Sequence, residues 1–400
     1  YSPIDEAASS ESKVAAIGGV TTMMRMLRLS GSYKKNLDSH LAASSTKHYI
    51  DYAIHASILQ KEQIDEMEFC KSKGINSFKI YMNLGEDVGH VYMDMRPGEK
   101  SLLEEKVEMN SEMIKQIISK AAQLNSTVLV HAEDYQMCSC GIRQAKEKKK
   151  DGLAAWSESR STDSEVKSIT AASKIAKSVG CTLYFVHIGS RAAIESIKNE
   201  RKNGTKIFVE TCPHYITLSY DTQNGYLAKV MPPIRSSQDV QSIWTEIGKG
   251  TIDSIGTDHV ANRVKLKLNG QTVWDALAGF PGIGTMMPIL LSEGVNKEKI
   301  NLQQLANMTS LNTARIFGMY PKKGVLQKGS DADIVLVDLK KEQKVSAQLL
   351  DGFSDYSVYE GWTLKGWPVK TIVRGQVVSE DFNMVEKPGF GKFVPRPVSS

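Results

Sequence analysis

The stretch GINSFKIYMN, residues 74–83, places a lysine in an unfavourable position. Lys79 lies between Phe78 and Ile80 in a short apolar run of β-forming residues, which is typical of a strand buried on both faces. Lysine is almost never fully buried unless it is paired. Lys79 is therefore expected either to extend its amine out of the end of the strand or to serve a chemical purpose.

Seven β-prone runs, the one with Lys79 included, alternate with amphipathic and charged segments. They are GGVTTMMRM (18–26), YIDYAIHAS (49–57), INSFKIYM (75–82), STVLVHAED (126–134), TLYFVHIGS (182–190), KIFVETCPHYI (206–216) and IDSIGTDHV (252–260). Helix-like stretches between them include residues 103–124, 164–178, 191–202 and 239–247. This alternation predicts βα units around a parallel sheet, one unit short of the eight that close a TIM barrel. Because the chain starts abruptly at Tyr1, the missing strand is predicted to be the first.

After a last helix-like segment at 301–317, the pattern changes to short strands in GVLQKGSDADIVLVDL and GWPVKTIVRGQVVSE. The predicted organisation is therefore an α/β TIM-barrel domain without its first strand (1–318), a small β-sandwich domain (319–380) and an extended C-terminal arm (381–400).

The composition favours an ordinary soluble globular protein, with 41% apolar and 24% charged residues. A net charge of +5 and one basic run, KEKKK at 146–150, predict a solvated loop and no nucleic-acid or membrane partner. Five cysteines without a CxxC pair or a signal peptide indicate reduced thiols, and hence the cytoplasm.

Five of the seven runs carry a polar side chain at or near the carboxyl end, where TIM-barrel enzymes place their chemistry: Lys79, His131, His187, His214 and Asp258. Taken singly, each histidine is more often structural than a ligand. Histidines and an aspartate that converge from separate strands nevertheless make a typical metal-ligand set. Burial lowers the pKa of a lysine, and a neutral amine can react with carbon dioxide to give a carbamate. Such a group is a carboxylate on a long arm and can bridge two cations.

In this order and at these intervals, SFKIYM, VLVHAED, VHIGS, ETCPHY, MPPIR and GTDHV resemble the cyclic amidohydrolases. That family includes hydantoinases, dihydropyrimidinases, allantoinases and dihydroorotases. The similarity continues through FPGIGTMMPIL, NTARIFGMYPKKGVLQKGSDADIVLVD and YEGWTLKGWPVKTIVRGQVV, and it covers nearly the whole chain. It implies a TIM barrel with a small β-sandwich, a binuclear metal centre that is usually zinc, and a homodimer or homotetramer.

The resemblance also implies roles for individual residues. Lys79 matches the lysine that carbon dioxide converts to a bridging carbamate, and His131 and His187 match the two histidines of one metal. Asp258 matches the aspartate that ligates the other metal and acts as the catalytic proton shuttle. In that chemistry a metal-bound hydroxide attacks the ring carbonyl, and the aspartate delivers a proton to the leaving nitrogen. His214 and His259 are interpreted as supporting residues.

The sequence departs from the family at several positions. None of its eight histidines forms the His-x-His pair of the first strand, which leaves the activity of the chain as given open. The tyrosine expected five residues after the lysine is Leu84, and the serine before Pro-Pro is Met231. Ala278 replaces the asparagine before Gly-x-Pro-Gly. Met231 and Ala278 therefore mark substrate-binding positions only, and the metal half of the site is the better matched.

The resulting hypothesis is a metal-dependent hydrolase of a non-peptide C–N bond in a cyclic amide or ureide of the hydantoin or dihydropyrimidine type. The segment YEGWTLKGWPVKTIVRGQVV favours this branch, whereas FPGIGTMMPIL resembles dihydroorotase, and allantoinase is a further alternative. A different class of protein, a non-catalytic scaffold related to dihydropyrimidinase, would keep the fold and lose the ligands. The presence of Lys79, His131, His187 and Asp258 argues against the scaffold.

Overall fold

The computed structural model describes residues 3–85, 90–99, 101–107 and 109–396. In this part of the chain the strands are β1 (Thr22–Leu27), β2 (Asp51–Ser57), β3 (Ser77–Tyr81), β4 (His90–Tyr92), β5 (Glu104–Lys106), β6 (Thr127–His131), β7 (Thr182–Phe185), β8 (Ile207–Thr211), β9 (Ser254–Ile255), β10 (Ile334–Lys344), β11 (Thr363–Val373), β12 (Gln376–Glu380) and β13 (Asn383–Met384).

The α-helices are α1 (Ile4–Ile17), α2 (Tyr33–Ser45), α3 (Glu62–Asp65), α4 (Met67–Ser72), α5 (Ser111–Gln123), α6 (Tyr135–Glu147), α7 (Gly152–Ser159), α8 (Thr162–Val179), α9 (Arg191–Lys202), α10 (Ser237–Gly248), α11 (Val264–Lys267), α12 (Met286–Ile289), α13 (Leu302–Ala306), α14 (Asn312–Ile316) and α15 (Ala347–Leu350). Pro213–Ile216 and Gly225–Ala228 form 3₁₀ turns, and Leu290–Val295 and Asn307–Leu311 form π-helical turns. Within the described ranges, no helix combines the length and the apolar character needed to cross a bilayer.

One curled sheet of seven parallel strands forms the centre of the molecule, in the order β1-β2-β3-β6-β7-β8-β9. Each of the seven runs predicted from the sequence overlaps one of these strands, and α5, α8 and α9 pack side by side along the sheet. The predicted α/β fold of the TIM-barrel type is therefore confirmed. β1 and β9 are its edge strands and do not pair with each other in the part of the chain described.

The inner face of the sheet is set by residues that alternate along each strand. On β3 these are Ser77, Lys79 and Tyr81, and Ser77 Oγ lies 2.5 Å from Nδ1 of His55 on β2. The ring of Phe317 packs edge-on at 4.9 Å against Tyr184 of β7, and both belong to a buried cluster with Ala53 of β2 and Leu129 of β6.

The helix predicted over residues 103–124 is wrong at its start. Glu104–Lys106 form β5, which pairs antiparallel with β4, and α5 begins only at Ser111. The side chain of Asn110 accepts a hydrogen bond from the amide of Met113 at 2.9 Å and so caps the helix there.

The C-terminal part forms an antiparallel sheet in the order β10-β11-β12-β13, with Trp367 of β11 fully buried. The chain then returns to the barrel: the amide of Tyr52 donates to the carbonyl of Lys392 at 3.0 Å, and the amide of Arg396 to that of Gly74 at 2.9 Å. This segment lies between β2 and β3, which pair at only two positions, Ala56 with Phe78 and Ser57 with Lys79. Residues 397–400 of the predicted arm lie outside the described residues.

Candidate metal centre

The residues predicted to bind metal lie at the carboxyl ends of four barrel strands. Lys79 is in β3, His131 ends β6, His187 follows β7 by two residues, and Asp258 follows β9 by three. Lys79, His131 and His187 are buried, with 2%, 3% and 5% of their surface exposed, and Asp258 is partly buried. They therefore occupy the face on which TIM-barrel enzymes place their active sites.

The two histidines are in direct contact. Their ring centroids are 4.7 Å apart in an edge-on arrangement, and burial lowers the pKa of both imidazoles. Nδ1 of His187 is buried and has no hydrogen-bond partner among the described residues. Because buried polar atoms are nearly always satisfied, this nitrogen is a candidate ligand atom. A neutral imidazole is the form that binds a metal.

A buried glutamate fixes the tautomer of His131. Oε2 of Glu133 lies 2.7 Å from Nε2 of His131, and Arg160 donates to both oxygens of the same carboxylate. Burial alone would raise the pKa of Glu133, but the charge of Arg160 and the hydrogen bond with His131 outweigh it and lower the pKa to about 2. Because an ionised carboxylate can only accept, Nε2 carries the proton and Nδ1 keeps its lone pair for a metal.

Lys79 faces the interior beside this pair. Its Nζ lies 5.0 Å from the centroid of the Tyr81 ring, which itself lies 6.2 Å from the His131 ring. Burial lowers the pKa of Lys79 and raises that of Asp258, and the opposite charges of the two groups oppose both shifts. Lys79 forms no salt bridge with any described residue. The lysine expected from the sequence to be unusual is indeed buried, and its environment disfavours the ammonium.

Glu210, on β8, is a site residue that the sequence analysis missed. Its carboxylate accepts from the hydroxyl of Tyr184 at 2.7 Å and from the amide of His187 at 3.2 Å. A Cβ atom on Gly256 would lie 2.4 to 2.6 Å from this carboxylate, so the close approach requires glycine there. Glu210 thereby holds the main chain of His187, whose φ of 45° lies in the left-handed region.

Asp258 is held through its neighbour. Nδ1 of His259 accepts from the amides of Gly282 and Ile283 at 3.0 and 3.2 Å, and its Nε2 lies 2.5 Å from Oε2 of Glu11 on α1. Asp258 has a φ of 44°, and its left-handed backbone is thus anchored on the next residue. His259 acts as a contact between α1 and the loop that follows Ala278.

The structure brings some of the predicted ligands together and leaves others apart. In the ranges that it describes, no three His, Cys, Asp or Glu side chains are arranged to hold a metal ion. His131 and His187 form a pair, and Asp258 does not join it. Lys79 is the remaining predicted ligand beside this pair, next to the Tyr81 ring.

The two positions predicted from the sequence to bind substrate lie on neighbouring segments. Met231 precedes Pro232 across a cis peptide bond, and Ala278 precedes Gly279, whose amide donates to the carbonyl of Lys229 at 3.0 Å. Both residues are partly buried, and Leu84 is buried in the main core. As the sequence indicated, none of the three side chains can hydrogen-bond a ring.

Known proteins share this architecture. Residues 103–378 match the amidohydrolase family. An L-hydantoinase of Paenarthrobacter aurescens is 30% identical over 392 residues, which are 96% of this chain and 82% of that protein. A D-phenylhydantoinase of Escherichia coli is 28% identical over 398 residues, 96% of this chain and 81% of its own.

Among solved structures, an L-hydantoinase (dihydropyrimidinase) from Arthrobacter aurescens superposes with a TM-score of 0.88 at 29% identity, covering 97% of this chain and 83% of that one. The likeness thus extends over both the barrel and the C-terminal sheet. With a family match over more than half of its residues and relatives that align along nearly its whole length, the chain belongs to the amidohydrolase family.

Proposed function

We propose that this protein is a hydrolase that opens the C–N bond of a cyclic amide or ureide of the hydantoin or dihydropyrimidine type. Amidohydrolases are metal-dependent enzymes. The observation that carries the proposal is the buried set of Lys79, His131 and His187 at the carboxyl edge of the barrel, in a chain similar along 96% of its length to an L-hydantoinase.

The residues present fit a divalent metal ion. The unpartnered Nδ1 of His187 and the free Nδ1 of His131 supply two nitrogen donors. Lys79, carbamylated by carbon dioxide, would supply an oxygen and complete the three protein ligands of an open zinc site. The same carbamate and Asp258 would contribute to a second ion. Zinc is proposed because it accepts imidazole and carboxylate-type ligands together.

The protein side of the reaction follows from these contacts. When bound, the metal supplies Lewis acidity towards a water molecule and the ring carbonyl. Glu133 and Glu210 hold the two histidines in their ligating orientation. As the water oxygen bonds to the carbonyl carbon and the C–N bond breaks, Asp258 carries the proton from the water to the leaving nitrogen.

The residues at the predicted substrate positions favour a substrate whose ring carries an apolar substituent. Leu84, Met231 and Ala278 provide no side-chain hydrogen bonds, and losing each such bond to a buried polar ring costs about 1 to 3 kcal/mol. The ring is instead held through main-chain groups at Met231 and Ala278. Unsubstituted hydantoin and dihydrouracil are therefore expected to be poorer substrates than aryl- or alkyl-substituted rings.

The proposal extends to assembly and location. A homodimer or homotetramer in the cytoplasm is supported by the similarity to hydantoinases and by five cysteines that form no disulfide.

The test is a comparison of kcat/KM across dihydrouracil, hydantoin, aryl- and alkyl-hydantoins, allantoin and dihydroorotate, with zinc-loaded protein and elemental analysis of each preparation. Ring opening with a preference for apolar substituents is expected. A clear preference for allantoin or dihydroorotate would move the protein to another branch of the family. Full metal loading without turnover of any ring would favour the non-catalytic scaffold.

A further inference from the structure

Lys267 is a second buried lysine, and the mechanism above does not use it. It ends the short helix α11 and is completely buried. Its Nζ donates to the carbonyls of Lys229, Leu277 and Gly279 at 2.7, 2.6 and 2.8 Å. Although burial lowers the pKa of this amine, only the protonated form has three N–H donors for three acceptors.

The three acceptors belong to the two segments that carry the substrate positions. The carbonyls of Leu277 and Gly279 flank Ala278, and that of Lys229 lies two residues before Met231. One side chain therefore ties both segments at the same point. Neither segment is held there by a regular strand or helix.

Lys229 supports the same loop from the other side. Its Nζ donates to the carbonyl of Ala276 at 2.5 Å and lies 4.3 Å from the centroid of the Trp156 ring. Its carbonyl accepts from the amide of Gly279 as well as from Lys267. The loop from 274 to 279 is thus fastened by two buried lysines and by main-chain hydrogen bonds from Leu277 to Lys267 and from Gly279 to Lys229.

The main-chain groups at the two substrate positions differ from those of their neighbours in hydrogen bonding. In the described structure, the amide and carbonyl groups of Met231 and Ala278 have no hydrogen-bond partner, whereas the flanking carbonyls are all occupied. Backbone groups that are shielded from water are rarely left unpaired. A cyclic amide or ureide presents N–H and C=O groups side by side, which complement such an edge.

We propose that Lys267 is a positioning residue, which holds the main chain of Met231 and Ala278 in the arrangement that binds the ring of the substrate. The inference rests on the proposed function. It assigns Lys267 no contact with the substrate: the side chain acts by keeping the flanking carbonyls turned inward, so that the free groups of Met231 and Ala278 remain at the edge of the site.

The test compares Lys267→Met, which keeps the volume and removes the donors, with Lys265→Met, an exposed lysine two residues earlier on the same helix. For Lys267→Met we expect KM to rise by about 10- to 100-fold, since a displacement of 1 Å in a binding group has effects of this size. Metal content and the absorption spectrum of the cobalt-substituted protein should stay unchanged. Competitive inhibition by the ring-opened product should weaken in parallel, and Lys265→Met should behave as wild type.

The possible outcomes distinguish a failure of the positioning role from a failure of the proposed hydrolase function. A zinc-loaded wild type that opens no ring overturns both. With an active wild type, an unchanged KM in Lys267→Met, or a loss of metal with KM unchanged, overturns the positioning role alone. If Lys267→Met does not fold, Lys267→Gln, which keeps only two of the three donors, is measured in the same way, and a rise in KM at constant metal content is again required.

Discussion

Replacing Glu133 by glutamine should weaken metal binding although Glu133 need not touch the metal. Three donors converge on its two oxygens: Nε and Nη2 of Arg160 and Nε2 of His131. Glutamine offers one oxygen and one NH₂ group, so at least one of the three contacts becomes a clash of donors. His131 can avoid the clash by accepting at Nε2, but its proton then moves to Nδ1, the atom needed for the metal.

Glu133→Gln is expected to reduce both the affinity for metal and the stability of the metal-free protein. Partners of metal-bound histidines typically change metal affinity by 10- to 100-fold, which corresponds to about 1.4 to 2.8 kcal/mol. In addition, Arg160 is only 5% exposed and would keep a buried charge without its partner. Removing one member of a buried ion pair costs about 3 to 5 kcal/mol, so the metal-free protein should lose stability by about that amount.

The assay is a pair of titrations, zinc affinity by competition with a chelator and urea unfolding of the metal-free protein. Glu158→Gln is the matched control, since Glu158 makes a salt bridge with Lys150 on the surface. It should change neither quantity measurably. The double variant Glu133→Gln/Arg160→Met should regain stability and still bind zinc weakly. Normal zinc affinity in Glu133→Gln would refute the tautomer argument.

Three further predictions concern other parts of the molecule. Burial without a hydrogen-bond partner lowers the pKa of His48 to about 3. As the pH falls below about 6.5 the unfolded state is therefore protonated first, and the free energy of unfolding drops by about 1 kcal/mol per pH unit towards pH 4. Urea unfolding of His48→Phe at several pH values should show a smaller slope. Gly256→Ala should destabilise the protein by about 1 to 3 kcal/mol and weaken zinc binding, because its Cβ would displace Glu210, whereas Gly248→Ala, which meets no atom within 4 Å, should not. Lys79→Ala should lose zinc and activity, and high concentrations of a short carboxylic acid should restore part of both; mass spectrometry that finds only unmodified lysine in an active, zinc-loaded wild type would contradict the carbamate.

The fold was predictable because its determinants are local. Each parallel strand overlaps a run of β-forming residues, and the apolar neighbours of the lysine in GINSFKIYMN indicated that its strand is buried. The start of α5 was mispredicted because residues 103–110 are compatible with a helix, and only the cap at Asn110 and the pairing of β5 with β4 decide against it.

The supporting carboxylates were not predictable for a different reason. Glu133 meets Arg160 across 27 positions of sequence, and Glu210 meets the amide of His187 across 23. Within KIFVETCPHYI the sequence analysis selected His214 as the polar residue near the strand end. His214 lies instead in the 3₁₀ turn after β8 and packs against the rings of Tyr215 and Phe280. The glutamate on the strand itself faces the site. An acidic residue in an otherwise apolar strand was the available signal.

These long-range contacts bear on how the site is kept in shape. His187 and Asp258 both adopt left-handed backbone angles, which cost residues other than glycine about 1 to 3 kcal/mol and persist only where surrounding contacts maintain them. For His187 that contact is the carboxylate of Glu210, and next to Asp258 it is His259, held by Glu11 and the amides of Gly282 and Ile283. Because His187 and Asp258 are strained residues beyond short strands, the orientation of these two candidate ligands depends on side chains that need not bind the metal themselves.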